Sequence, residues 1–475
     1  MVPSIRRSHS SGHVGLVRVK QERISTSLLG SATLVLFFLR DVMETFSKLE
    51  TVEAMLSRID DPTGQGSVVF TQVYREQARA SAASADALKK VGIEQHPLAG
   101  VAISVKDLFD VKGAQTRAGS RVLKDAQPAA HDAAVIARLR QCGASIIGKT
   151  NMTEFAFSGL GINPHYGTPV SVWDRPARRI PGGSSSGAAV SVAEGMAWAA
   201  IGTDTGGSCR IPAALNGIVG MKPTASTVPQ DGVLPLSVSY DSIGPLASTV
   251  ADCARVYSVI SASAAALVER ECSTLRLGVI RNYVMEGLDD SVAYAYEGAL
   301  RKLAAAGAVL HELTLPVLAD IPEILNGGGL VAAEAFQWHR ELLSSQEREY
   351  DPRVSVRIQR GMSISAADYI SLLGLRERMI QRWAAQIAAF DAVLMPTVPT
   401  VAPTLEALED DGEYGRANLL MLRNPTIVNV LDGCAVSLPC HERGAAPVGL
   451  SIVGDRQRDW QVLSIAHAIE QVLSA

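Results

Sequence analysis

Three stretches of this 475-residue chain carry residue types and spacings that could do chemistry. Gly143-Ala-Ser-Ile-Ile-Gly148-Lys149-Thr150 fits the phosphate-cradling pattern G-x-x-x-x-G-K-[ST]. In that motif a glycine loop between a strand and a helix turns its N–H groups onto phosphate oxygens. Gly183-Ser184-Ser185-Ser186-Gly187 fits G-x-S-x-G, which would make Ser185 a nucleophile on a sharp strand-to-helix turn. The third candidate is a pair of serine clusters, GGSSSG and TDTGGS, whose Ser184 and Ser208 stand 24 residues apart. Small residues let backbone N–H groups converge on a ligand, as an oxyanion hole requires. A flexible Gly/Ser linker is the bland alternative, but linkers are rarely embedded between apolar strands.

The elements around each motif decide among them. ASII is itself an apolar strand, and a helix (HDAAVIARLRQCG, stopped at Gly143) precedes it rather than follows it, so a nucleotide cradle is set aside. The polar, proline-bounded DRPARRIP stands where a nucleophile elbow needs a strand. That elbow also needs a downstream histidine, and only His441 in LPCHERG is a candidate. His311 and His467 read as solvated strand-edge and helix-face residues. The serine pair keeps its context, a helix over AAVSVAEGMA and a strand at WAAIG between the two clusters.

Elsewhere, residues 43–58 and 72–91 read as helices, the second rich in alanine. PLAGVAISVKD is a short apolar strand ending at Lys106. LRLGVI, AVLHELT, DAVLMPT, CAVSLP and PVGLSIVG read as strands. RDWQVLSIAHAIEQVL closes the chain as an amphipathic helix, with Trp460, Leu463, Ala466, Ile469 and Leu473 on one face. Alternating helices and apolar strands predict the α/β class, a sheet with helices on both faces.

The chain is 47% hydrophobic and 19% charged, ample for a large core. A net charge of −4 gives no basic surface for nucleic acid or an anionic membrane. The six cysteines form no C-x-x-C pair and no Cys/His cluster, so no metal site is predicted and a reducing cytoplasm fits best. Cys209, beside Ser208, reads as a small buried side chain rather than a nucleophile.

Residues 1–42 differ from the rest. They carry Arg6, Arg7, Arg18, Lys20, Arg23 and Arg40 against Glu22 and Asp41, with an apolar run at 28–39. That run is well short of the ~20 residues that span a bilayer, and no A-x-A-like cleavage site follows it. These residues are expected to be a disordered or mis-started extension. Residues 43–475 are expected to form a single large catalytic domain.

The segment PGGSSSGAAVSVAEGMAWAAIGTDTGGSCRIPAALNGIVGMKPT closely resembles the defining signature of the amidase-signature family. VAISVKD is similar to that family's lysine strand, and GKTNMTEFAFSG to its bridge. DSIGPLASTVADCA and the closing PVGLSIVG pattern extend the likeness over about residues 45–473. The resemblance implies one large domain with a mixed β-sheet sandwiched by helices. It implies Ser208 as nucleophile, Ser184 on a cis peptide as relay and Lys106 as base, a variant of base-activated serine. Lys106 must be neutral to accept a proton, and burial at a strand end would favour that form. The alternative is an ordinary lysine paired with Asp107. Amides of Thr205, Gly206, Gly207 and Ser208 would form the oxyanion hole. Ser185, Asp204 and Arg210 would hold the two loops together. No cofactor is implied.

The family includes hydrolases of amides, carbamates and urea derivatives, and the glutaminase subunit of tRNA-dependent amidotransferases. In that subunit the nucleophile is usually followed by I-R-Q-P, whereas here it is followed by Cys209-Arg210-Ile211-Pro212. A stand-alone hydrolase of a small amide or carbamate is therefore expected, with room for a homodimer. A catalytically dead scaffold on the same fold is the other rival, and intact Lys106, Ser184 and Ser208 argue against it. The Phe155–Tyr166 stretch and the loop at 395–403 are expected to wall the pocket. Phe155, Phe157 and Tyr166 hint at an apolar acyl group, though core packing explains them equally.

Overall fold

The computed structural model describes residues 47–474, so the apolar run at 28–39 and the predicted extension lie outside the described residues. Eleven strands form one sheet: β1 Phe70–Val73, β2 Ala102–Lys106, β3 Ser145–Thr150, β4 Ala199–Asp204, β5 Val219–Lys222, β6 Ser242–Ala247, β7 Arg276–Ile280, β8 Val309–Leu313, β9 Ala392–Pro396, β10 Cys434–Pro439 and β11 Gly449–Gly454. Their order is β1-β3-β2-β4-β6-β5-β10-β11-β9-β7-β8. Pairings are parallel among β3, β2 and β4 and among β9, β7 and β8, and antiparallel elsewhere. The sheet is thus mixed, as the resemblance implied.

Helices cover both faces. The longer ones are α1 Lys48–Asp60, α2 Arg75–Lys90, α3 Ala134–Gln141, α4 Ser186–Ala193, α5 Arg210–Asn216, α6 Val250–Ile260, α7 Asp290–Ala305, α8 Gly329–Gln346, α9 Pro352–Gln359, α10 Ala366–Ile387, α11 Asp411–Val430 and α12 Asp459–Ser474. None of the described helices is long and apolar enough to cross a membrane. The helix predicted over 72–91 begins only at Arg75, and the preceding residues form the edge strand β1. There Phe70, Gln72 and Val73 pair antiparallel with β3, and the unbroken run of helix formers starts after Tyr74. At α1, Ser47 and Glu50 close a reciprocal capping box, which fixes where that helix starts. The strand β6, SIGPLA in sequence, was hidden by its glycine and proline.

Strand alternation divides the interior. Ile103, Val105, Leu394, Val436 and Ile452 join Ile136 of α3, Val256 of α6, Leu300 of α7 and Leu463 of α12 in the largest cluster. Their neighbours Val393, Met395, Ala435 and Val453 pack instead against Trp383 of α10 and Ile427 of α11. Each such burial contributes ~1.5–3 kcal/mol, and together they fix the strand register. On β2 the same alternation puts Ala102 with Val52 of α1 and Val190 of α4, and Ser104 Oγ lies 2.8 Å from Ser191 Oγ of α4. Lys106, two residues beyond Ser104, projects to that same side. The loop that opens α4 carries Ser184.

Candidate active site

Lys106 ends β2 wholly buried. Its Nζ donates to Ser184 Oγ at 2.7 Å and to Thr203 Oγ1 at 2.8 Å. Asp107 does not pair with it. That carboxylate faces Lys149 of the rejected phosphate motif at 2.9 Å, both side chains being almost fully buried. With no carboxylate in contact, desolvation dominates and draws the Lys106 amine down from 10.5 to about 8. Among the described groups, Cys209, Asp241 and Asp204 pull it back only through space.

Ser184 follows a cis peptide bond from Gly183. The bridge segment positions this loop: Gly183 N donates to Gly159 O at 2.8 Å, Thr153 N to Ser184 O at 3.1 Å, and Gly187 N to Asn151 O at 3.0 Å. The second serine loop meets the first where Ser185 N donates to Ser208 O at 3.3 Å. Gly202 permits that approach, because a Cβ there would sit 2.7 Å from Ser185 Oγ and 3.1 Å from Cys209 Sγ. Ser185 Oγ itself donates to Thr203 O at 3.3 Å.

The turn Thr205–Ser208 is shaped by Asp204 at the end of β4. Its carboxylate accepts from the amides of Gly207 at 2.8 Å and Cys209 at 3.1 Å, just ahead of α5. The Gly207 amide is thereby committed to Asp204, which corrects its expected place in the oxyanion hole. Gly207 has a φ of +123°, and a Cβ there would lie 2.6 Å from Pro425 of α11, so a side chain is excluded on both counts.

Arg210 clamps the arrangement. It donates to Asp204 through Nε at 3.0 Å and Nη2 at 2.9 Å, and Nη2 also reaches Asn429 Oδ1 and Pro425 O. Both ions are fully buried. Burial alone would raise the Asp204 carboxyl, but Arg210 outweighs it and holds the group down at about 2. Asn429 Nδ2 returns bonds to Asp204 O at 2.9 Å and Oδ1 at 3.0 Å. Asp241 accepts from Thr205 Oγ1 at 2.5 Å, and burial raises its carboxyl to about 6.

Lys106, Ser184, Ser185, Asp204, Thr205, Gly206, Gly207, Ser208 and Arg210, singled out in the sequence, thus come together. Thr203, Asp241 and Asn429 were missed. Thr203 and Asp241 are the first residues of the quoted TDTGGS and DSIGPLASTVADCA, but only the pairing of β2, β4 and β6 reveals them as neighbours of the site. Cys209 is a buried residue whose thiol is pushed well up by desolvation, unsuited to act as a thiolate. His441 lies near Gly217 and accepts from Val448 N at 3.3 Å, serving no serine. Phe155 is not a pocket wall: it is 1% exposed and packs on His339, Tyr350 and Trp338.

A buried lysine against a serine hydroxyl, beside a glycine turn at the end of a mixed sheet, is the arrangement of a base-activated serine, which in the amidase family hydrolyses carbon–nitrogen bonds. A model of the amidase family matches residues 50–463, and the chain belongs to that family. It is 36% identical to a 2-amino-5-chloromuconic acid deaminase of Comamonas testosteroni, over 84% of this chain and 87% of that protein. It is 32% identical to one of the subunits of the glutamyl-tRNA(Gln) amidotransferase of Symbiobacterium thermophilum, over 94% of this chain and 97% of that one. A crystal structure of an amidase superposes with a TM-score of 0.81 at 31% identity, covering 93% of this chain and 98% of that one. A peptide amidase bound to the competitive inhibitor chymostatin does so at 0.76 and 26% identity, covering 92% and 96%.

Proposed function

We propose that this amidase hydrolyses a small amide or carbamate by way of an acyl-enzyme on Ser208, acting alone or as a homodimer and without partner subunits. The contact between Lys106 Nζ and Ser184 Oγ, inside a site that favours the neutral amine, carries the reading. Neutral Lys106 takes the Ser184 proton while Ser184 takes that of Ser208. Ser208 Oγ then bonds to the carbonyl carbon, and the oxygen's developing charge meets the amides of Thr205, Gly206 and Ser208. The proton returns through Ser184 to the substrate nitrogen as the C–N bond breaks, releasing an amine or ammonia. Water, deprotonated by the same relay, attacks the ester, frees the acid and restores Ser208. Asp204, Arg210 and Ser185 hold the loops in register.

Independent hydrolysis is favoured over a glutaminase role by Ile211, which stands where the glutaminase chains of amidotransferases usually carry glutamine. It is fully buried, with Cδ1 3.2 Å from where a Cβ on Gly159 would lie. That lining is apolar, unsuited to a polar carboxamide side chain. The six unpaired cysteines fit a reducing compartment such as the cytoplasm. Labelling with a fluorophosphonate, followed by peptide mapping, tests the nucleophile. An adduct on Ser208, abolished in Ser208→Ala, is expected; one on Ser185 would overturn the assignment. A panel of amides, carbamates and glutamine would identify the substrate, and turnover confined to glutamine would return the glutaminase reading.

A further inference from the structure

Thr205 is the first residue beyond the end of β4, and Asp204 directly before it still pairs with Ser242 of β6. The turn therefore leaves the sheet at Thr205 with no ladder to hold it. On one side, the Asp204 carboxylate fixes the amides of Gly207 and Cys209. On the other, Asp241 takes the Thr205 hydroxyl on Oδ1 at 2.5 Å. Its Oδ2 accepts from the amides of Leu236 at 2.9 Å and Ser237 at 3.1 Å.

The loop so gathered is itself anchored to the helical layer. Ser237 Oγ donates to Glu334 Oε2 of α8 at 2.5 Å, Ser239 N donates to the same oxygen at 3.0 Å, and Ser239 Oγ donates to Oε1. Tyr369 of α10 donates to Glu334 Oε1 at 2.8 Å. A continuous run of hydrogen bonds thus joins the turn beside the nucleophile to two helices, through two carboxylates. Asp241 is only 6% exposed, so its bonds do not compete with bulk water.

We propose that Asp241 is a positioning residue for acyl transfer, aiming the Thr205–Ser208 turn through the Thr205 hydroxyl, and that Glu334 holds the loop from which it acts. The inference rests on the Ser208 reading above. Donors in an oxyanion hole act only when already in place, and a misplacement of about 1 Å is costly. Losing the Thr205–Asp241 bond should therefore slow bond formation at Ser208 without weakening initial binding.

Saturation kinetics of fluorophosphonate labelling test this without a known substrate, since Ser208 Oγ bonds to phosphorus as fluoride leaves and charge builds on the phosphoryl oxygen. Asp241→Asn and Thr205→Val should each lower the limiting labelling rate about tenfold, with the half-saturating concentration within threefold. The double variant should be no slower than the slower of the two single ones, because both act through the same Thr205–Asp241 contact. Thr205→Ser should recover most of the rate lost in Thr205→Val, and Glu334→Gln should cost about threefold. Losses that multiply in the double variant, or that appear only in half-saturation, would overturn the proposal. Should Asp241→Asn fail to fold, the Thr205→Val and Thr205→Ser pair decides alone: equal rates in the two would refute the clamp. Labelling that persists in Ser208→Ala would instead refute the nucleophile, a failure distinct from that of the clamp.

Discussion

Thr203 Oγ1 and Ser184 Oγ share the Nζ of Lys106, at 2.8 and 2.7 Å. A neutral amine has one lone pair and two N–H bonds. With Thr203 accepting an N–H, the lone pair is left for the Ser184 hydroxyl. Thr203→Val should therefore lower kcat about tenfold. It should also move the rising limb of the pH profile downward, because an acceptor that favours the ammonium form is lost. An unchanged midpoint would show that Thr203 is only a packing residue.

kcat/KM should rise with pH through a midpoint near 8, where Lys106 loses its proton. The same shift bears on stability. Between about 8 and the ordinary value of 10.5 the unfolded chain binds the proton that the folded one has released, so this group's contribution to stability rises with pH across that window. Lys106→Met should flatten both effects. A pH–rate profile that stays sigmoid near 8 in that variant would assign the limb to another group.

An amide nitrogen must be protonated as it leaves, whereas a phenoxide departs with far less help. Lys106→Ala should thus damage hydrolysis of p-nitroacetanilide much more than that of p-nitrophenyl acetate. Equal losses on this matched pair would mean that Lys106 returns no proton to the leaving group, and the relay through Ser184 would fall.

Arg210→Met should destabilise the fold by ~3–5 kcal/mol, the usual cost of stranding one member of a buried ion pair. Adding Asp204→Asn should relieve part of that loss, since no charge is then left unpaired. Chemical denaturation of the single and double variants checks both statements. A loss below about 1 kcal/mol in the single variant would show that the pair contributes little to stability.

Much of this was legible in the residues. Alternating helices and apolar strands pointed to the α/β class, and the family resemblance singled out Lys106, Ser184 and Ser208, of which Lys106 and Ser184 meet in the structure. The phosphate motif failed for the reason visible in sequence: its middle residues form β3, and Lys149 serves Asp107. Less visible were contacts made across the sheet. Nothing near Asp241 announces Thr205, because strand adjacency is set by topology and not by spacing. Asn429 reaches Asp204 across 225 positions. The Gly207 amide was misassigned because small residues advertise where a chain can turn, but not which N–H an adjacent carboxylate will take. Gln72 and Val73 of β1 were absorbed into a helix because a four-residue strand beside a strong helix former shows no period of its own.

The order of strands has a consequence for how the protein is made. β10 and β11 follow the other nine described strands along the chain, yet they lie in the middle of the sheet, between β5 and β9. Lys106, Ser184 and Ser208 leave the ribosome long before the strands that join the two half-sheets. Until then β5 and β9 each present an open edge, the kind of surface that templates aggregation. A product truncated between residues 208 and 434 holds the reactive residues but lacks the two strands that join the halves of their scaffold.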